Sequence, residues 1–242
     1  MNDLELIHKY LPKDKWEDAK DKLKLGYPVQ YIIGNVDFYN NLIKVDERSL
    51  IPRFETEHLV EKTLSLLKKM NIETKDILEI GTGTGAISIS LKKNINSNID
   101  AIDISSDAID LAKENALLNN VDINYRVCDI HEFNSSKKYD LIISNPPYVP
   151  YDGCVDEKIK YEPESAIFAK DDGIYFYKVI LNKIYNNLKD DYLIAFEIGD
   201  NEGNRIKDIV KTILPNSYIL LEKDLNNYER YLFITNKKEI FK

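Results

Sequence analysis

From residue 77 onward the chain repeats one pattern: a short strand-like run, a turn, then apolar residues at helical spacing. The runs are Ile77-Leu78-Glu79-Ile80, Ile99-Asp100-Ala101-Ile102, Ile123-Asn124-Tyr125-Arg126-Val127, Leu141-Ile142-Ile143 and Tyr192-Leu193-Ile194-Ala195-Phe196. Strands separated by helix-length connections pair in parallel, with helices covering both faces of the sheet. Two last runs, Tyr218-Ile219-Leu220-Leu221 and Tyr231-Leu232-Phe233-Ile234, have no helix between them and are expected to pair antiparallel. The expectation is an α/β, Rossmann-like fold with a mostly parallel seven-stranded sheet and an antiparallel C-terminal strand.

The part ahead of this repeat is different. Residues 1 to about 25 carry Leu4, Ile7, Leu11, Trp16, Ala19 and Leu23 among many charges, which predicts one or two short amphipathic helices interrupted by Pro12. Val36 to Tyr39 and Leu42 to Val45 read as two strands around an Asn40-Asn41 turn, since paired asparagines tolerate left-handed backbone. After Pro52, Leu59, Val60, Leu64 and Leu67 fall at helical spacing, with Glu55 and Glu57 near the positive N-terminal end. We divide the chain into a helical segment with hairpin, 1–50, and a larger domain, 51–242.

With 43% hydrophobic and 31% charged residues, the chain has the composition of a folded globular protein. No apolar stretch approaches the roughly 18 residues of a membrane span, and the first residues are no signal sequence, so a cytoplasmic location is expected. Cys128 and Cys154 are expected as reduced thiols, and His8, His58 and His131 are scattered, so no metal is assigned. A net charge of -8 disfavours non-specific nucleic-acid binding, which needs a clustered positive surface; Lys68-Lys69, Lys92-Lys93 and Lys137-Lys138 read as solvated charge.

Chemistry begins where the first strand of the repeat ends. In Glu79-Ile80-Gly81-Thr82-Gly83-Thr84-Gly85-Ala86 the glycines allow a sharp turn and close approach of a ligand to the backbone. The loop alone does not choose between a nicotinamide and another adenosine-containing cofactor. Asp103, about 20 residues on and followed by Ile104, is placed to accept both ribose hydroxyls, or else to cap the next helix. Asp129 and Ile130, after the third strand, can take an adenine amino group and offer an apolar surface to the base, although a plain surface turn also fits Asp129. Glu79 sits under the loop, either bonding backbone amides or facing the amino group of a methionine moiety.

Asn145-Pro146-Pro147-Tyr148, at the end of the fourth strand, selects the chemistry. Consecutive prolines fix the backbone and present carbonyls without amide donors. Asn145 can accept one N-H of a planar NH2 group and donate to its neighbouring atom, the Pro146 carbonyl can accept the second N-H, and Tyr148 can stack on the flat group. Such a nitrogen has a delocalised lone pair, so the site must orient it at an electrophilic methyl. No strong base is required, because the nitrogen becomes acidic once methylated. The bland alternative is that the prolines end the strand and Tyr148 packs in the core.

The chain resembles the peptide chain release factor glutamine methyltransferases, the HemK family, from about Gly26 to Ile234. Besides the two motifs above, the likeness rests on Pro28-Val29-Gln30-Tyr31-Ile32-Ile33-Gly34, Leu50-Ile51-Pro52-Arg53-Phe54-Glu55-Thr56-Glu57, Glu162-Pro163 with Ala166, Asp172-Gly173 and Glu197-Ile198-Gly199. The resemblance implies a class I S-adenosylmethionine-dependent methyltransferase fold and methylation of the glutamine amide in the Gly-Gly-Gln loop of release factors, by a monomer, with S-adenosylhomocysteine as product. It implies that Gly81 to Gly85, Asp103 and Asn145 contact the cofactor, that Arg53 to Glu57 close over its methionine end, and that Asn145 to Tyr148 hold the glutamine. Phe54, Glu202 and Ala169-Lys170 depart from the family pattern, and only about two short helices fit where the family has a fuller helical domain.

Three other readings differ in what they require. Methylation of an exocyclic amine of adenine or guanine uses the same motif but needs a basic groove for a flipped base. A non-catalytic module that binds cofactor or release factor has no need of Asn145 to Tyr148. A nicotinamide oxidoreductase would bind NAD at the glycine loop.

Overall fold

The computed structural model describes residues 2–71, 75–153 and 157–242. The chain opens with α1 (Asp3–Tyr10), α2 (Trp16–Lys24) and α3 (Val29–Ile33), then the hairpin β1 (Asn35–Phe38) and β2 (Asn41–Lys44). Next come α4 (Phe54–Lys69), β3 (Lys75–Ile80), α5 (Ala86–Asn94), β4 (Ser97–Asp103), α6 (Ser106–Leu118), β5 (Asn124–Val127) and β6 (Tyr139–Ser144). A short pair, β7 (Val149–Pro150) and β8 (Phe168–Ala169), precedes α7 (Tyr175–Ile184), β9 (Leu188–Glu197), α8 (Gly203–Ile213), β10 (Tyr218–Lys223) and β11 (Glu229–Thr235).

The seven-stranded sheet has the order β10-β11-β9-β6-β3-β4-β5. β3, β4, β5, β6 and β9 are parallel neighbours, whereas β11 runs against β9 and β10 against β11. Both faces are covered, which is why the central strands are continuous apolar runs rather than alternating ones. Ile77, Leu141, Ile143 and Leu193 pack on one face with Leu59, Leu67 and Ile89 of α4 and α5. Leu78, Ile142, Ile194 and Phe196 pack on the other with Tyr177, Ile180, Ile206 and Val210 of α7 and α8.

Strand order reverses at β3, which has β4 on one side and β6 on the other. Side chains and backbone leaving the carboxyl ends of β3 and β6 therefore face a crevice, the usual ligand position in open α/β sheets. The glycine loop, Asp103, Asp129 and Asn145 lie at the carboxyl ends of β3, β4, β5 and β6 respectively.

The hairpin turns one residue earlier than the sequence indicates. Tyr39 and Asn40, at φ 46° and 59°, occupy the turn, and Asn41 pairs with Phe38. The reason is the Asn41 side chain, buried and donating from Nδ2 to the Tyr39 carbonyl at 2.9 Å and to Ser90 Oγ at 3.1 Å. Asn115 of α6, fully buried, fastens the hairpin to the glycine loop: its Oδ1 accepts from the Lys44 N-H at 2.7 Å, and Nδ2 donates to the carbonyls of Lys44 and Thr84 at 3.0 and 2.9 Å. Phe38, Ile43 and Val45 of the hairpin region belong to the main apolar core. Ile7, Ala19 and Val29 of the first helices form a separate small cluster, edged by Leu11, Trp16 and Leu23. Among the described residues no helix is long and apolar enough to cross a membrane. Cys128 is a free thiol; Cys154 lies outside the described residues.

Candidate active site

The glycine loop is held by the neighbouring strand. Gly81 and Thr82 donate their N-H groups to the Ile102 carbonyl at 2.8 and 3.1 Å. Gly83 donates to Asp103 Oδ2 at 2.9 Å, and Ser105 donates to Asp103 Oδ1 at 3.0 Å. Burial raises the Asp103 carboxyl above its ordinary range, against the hydrogen bonds from the Ser105 and Gly83 amides. Gly83 has φ +54°, and a Cβ there would lie 2.7 Å from Ser49 Oγ, so only glycine fits without displacing a neighbour.

Glu79 lies beneath this loop and is fully buried. Its Oε2 accepts from Thr82 Oγ1 at 2.7 Å, and Oε1 has no hydrogen-bond partner among the described residues. Burial pushes its carboxyl up to about 7, although the Thr82 hydroxyl favours the charged form.

A cavity of about 350 Å³ opens above the loop, within the size range of small-molecule sites. It brings together most of the residues singled out by sequence: Arg53, Gly81, Thr82, Gly83, Thr84, Asp103, Ile104, Asp129 and Ile130, with Asn145, Pro146 and Pro147. Glu79, Gly85 and Tyr148 do not line it. Gly85 starts α5 in the left-handed conformation instead.

Asp129 Oδ1 accepts from the His131 N-H at 2.9 Å and lies 2.6 Å from His131 Nδ1. The backbone bond from His131 holds the Asp129 carboxyl below its ordinary range. His131 Nε2 is in turn 2.8 Å from the Tyr175 hydroxyl. Arg53 is fixed by a 2.6 Å ion pair to Glu162 Oε1, whose other oxygen accepts from the Ile51 N-H at 3.0 Å, so the start of α4 is tied to the segment after β7.

The Asn145 wall is held by side chains distant in sequence. Asn145 Nδ2 donates to Thr56 Oγ1 at 3.2 Å, and Thr56 Oγ1 donates to Glu197 Oε2 at 2.7 Å. Tyr148, expected to offer its ring to the substrate, is half-buried with its hydroxyl 3.4 Å from Glu197 Oε1 and Arg230 Nη1. Aromatic residues that do line the cavity include Tyr151, Phe168 and Phe176, with Tyr151 exposed and stacked on Phe168 at 5.5 Å. Glu197 is almost fully buried, and burial raises its carboxyl to about 7.

Sequence reasoning did not single out Ser49, Thr56, His131 or Tyr151 as site residues. Thr56 lies within the Leu50 to Glu57 stretch that carries the family resemblance, and that was the one available signal for it.

A reversed strand order with a glycine loop and an Asn-Pro-Pro turn lining one cavity defines a Rossmann-like methyltransferase. The family model described as methyltransferase small domain matches residues 54–159. Over its full described length the fold is similar to that of magnesium protoporphyrin IX methyltransferase from Synechocystis PCC 6803, solved with bound SAM, at a TM-score of 0.55 and 14% identity with 98% of each chain covered. A release factor glutamine methyltransferase from Streptococcus pneumoniae is 40% identical over 228 residues, 92% of this chain and 80% of that protein. One from Enterococcus faecalis is 36% identical over 91% of this chain and 81% of its own length. The chain belongs to the release factor glutamine methyltransferase family.

Proposed function

We propose that this protein transfers the methyl group of S-adenosylmethionine to the side-chain amide nitrogen of a glutamine, in the Gly-Gly-Gln motif of a peptide chain release factor. The observation that carries this reading is the single cavity shared by the glycine loop and Asn145-Pro146-Pro147. In this reading an adenosine-containing methyl donor lies along the glycine loop, with Asp103 taking its ribose hydroxyls and Ile104, Ile130 and Asp129 its base; all four line the cavity, and a side chain at Gly83 would crowd Ser49. Thr82 and Thr84 shape the loop, and Arg53 closes the methionine end. Glu79 supports the loop from below rather than touching ligand.

When bound, S-adenosylmethionine supplies an electrophilic methyl group. Asn145 Oδ1 and the Pro146 carbonyl accept the two N-H groups of the glutamine amide, which restrains its rotation and aims its lone pair across the cavity. Accepting those hydrogens also returns electron density to a weak nucleophile. Pro147 keeps the turn rigid, and Tyr148 braces it from behind through Glu197. The methylated nitrogen loses its extra proton to solvent, so no histidine or lysine base is needed.

Two measurements separate this reading from its rivals. S-Adenosylhomocysteine should raise the thermal midpoint while NAD leaves it unchanged, because a ligand selective for the native state stabilises it. Methyl-labelled donor, offered release factor and ribosomal RNA together, should label the protein; label in the RNA alone would favour exocyclic-amine chemistry, which the net charge of -8 opposes.

A further inference from the structure

We propose that Thr56 and Glu197 are positioning residues that set the polarity of the Asn145 carboxamide, so that its oxygen, and not its nitrogen, faces the substrate amide. This rests on the glutamine-methylation reading and adds to it the device that decides which end of Asn145 does the work.

An asparagine side chain offers an acceptor at one end and two donors at the other, and the two ends have nearly the same shape. In the proposed reaction a reversed Asn145 would donate into the substrate nitrogen's lone pair and withdraw the electrons that must attack. Neither proline can set the orientation of the carboxamide by a backbone bond, since neither has an N-H to donate to its oxygen. Something on the far side of Asn145 must discriminate between the two ends.

Thr56 does this because its single hydroxyl hydrogen is already committed. Thr56 Oγ1 donates to Glu197 Oε2 at 2.7 Å, and a carboxylate only accepts. Only lone pairs are left on the oxygen for Asn145, and the atom that meets them at 3.2 Å is Nδ2. Thr56 and Glu197 are 4% and 1% exposed, so water does not compete for these bonds. The second carboxylate oxygen is engaged by the Tyr148 hydroxyl at 3.4 Å, and Arg230 Nη1 lies 3.4 Å from that hydroxyl and 3.0 Å from the Ile198 carbonyl. Burial raises the Glu197 carboxyl to about 7, and the hydrogen bond from Thr56 and the charge of Arg230 work against that shift, favouring the ionised, accepting form. The direction of donation therefore runs from Asn145 to Thr56 to Glu197, and the carboxylate at its end fixes it.

The test compares Thr56→Val, which keeps the shape and removes the hydroxyl, with Thr56→Ser, which keeps it. Each is assayed for kcat and KM with release factor and for S-adenosylhomocysteine binding, beside the unmodified enzyme and Asn145→Ala. Thr56→Val should lower kcat about tenfold, the scale of one hydrogen bond. KM and S-adenosylhomocysteine binding should stay within about twofold, and Thr56→Ser should restore most of kcat. The proposal is overturned if Thr56→Val matches the unmodified enzyme, if it loses kcat and cofactor binding together, or if Thr56→Ser is equally impaired. An unmodified enzyme that transfers no methyl to release factor would instead remove the underlying functional reading. A working enzyme with an inactive Asn145→Ala and an unaffected Thr56→Val would remove the positioning proposal alone.

Discussion

The two walls of the cavity are held by different kinds of contact. The glycine-loop wall is mostly local: Gly83 bonds Asp103 and Thr82 bonds Glu79 within β3-α5-β4, and Asn115 of the next helix reaches the Thr84 carbonyl. The Asn145 wall is assembled from distant parts, since Thr56 is 89 residues from Asn145 and 141 from Glu197. The loop at the centre of the first wall needs little beyond that βαβ unit and the helix that follows it. The second exists only when α4 and β9 have docked on β6, so its geometry reports the completed core. Both walls rest on a buried glutamate, Glu79 under one and Glu197 behind the other. Substitutions can therefore break the binding wall and the chemical wall separately.

The largest effect is expected on the chemical wall. Asn145→Ala should lower kcat by roughly 10²–10³, the range for losing a group that orients or stabilises the reacting atoms, with S-adenosylhomocysteine affinity largely kept. Calorimetric titration beside single-turnover methyl transfer checks this; a parallel loss of affinity and rate would merge the two walls into one. The opposite behaviour is expected at Gly83. An alanine there must take up φ +54° and meet Ser49 Oγ at 2.7 Å, with a backbone penalty of about 1–2 kcal/mol, so cofactor affinity should fall about tenfold while rate at saturating cofactor changes little.

The last effect concerns stability rather than activity. Burial raises Glu79 from an ordinary 4.5 to about 7, so the native state binds its proton more tightly than the unfolded chain does. Its contribution is full below about 4.5 and is lost as pH rises through about 7. Urea unfolding at about pH 5 and about pH 8 should show the unmodified protein losing on the order of 1–3 kcal/mol more than Glu79→Gln over that interval. Equal losses would show that the Glu79 environment does not disfavour its charge.

What could be read from the sequence follows the same division. The seven strands, their order of polarity and the glycine loop come from local patterns: continuous apolar runs for strands buried on both faces, and glycines where the backbone turns left-handed. Asp103 and Asn145 could be placed because they follow strand ends directly. Thr56 and Glu197 could be named only as parts of a family resemblance, because what they do depends on a contact between elements more than eighty residues apart. Tyr148 shows the limit from the other direction. Its place in the motif pointed to substrate stacking, yet the turn aims its hydroxyl at Glu197 and leaves Tyr151, three residues on, beside the cavity. The hairpin turn failed by one residue for a similar reason: Asn41 is held by Ser90 of α5, a contact that no local propensity encodes.

If one cavity joins a methyl donor on the glycine loop to a glutamine amide held by Asn145, peptide mass spectrometry of release factor incubated with enzyme and donor should find a single methyl group on the amide of the Gly-Gly-Gln glutamine. That group should be absent when the enzyme carries Asn145→Ala. Methyl groups on other residues, or the same modification at undiminished level with Asn145→Ala, would contradict that arrangement.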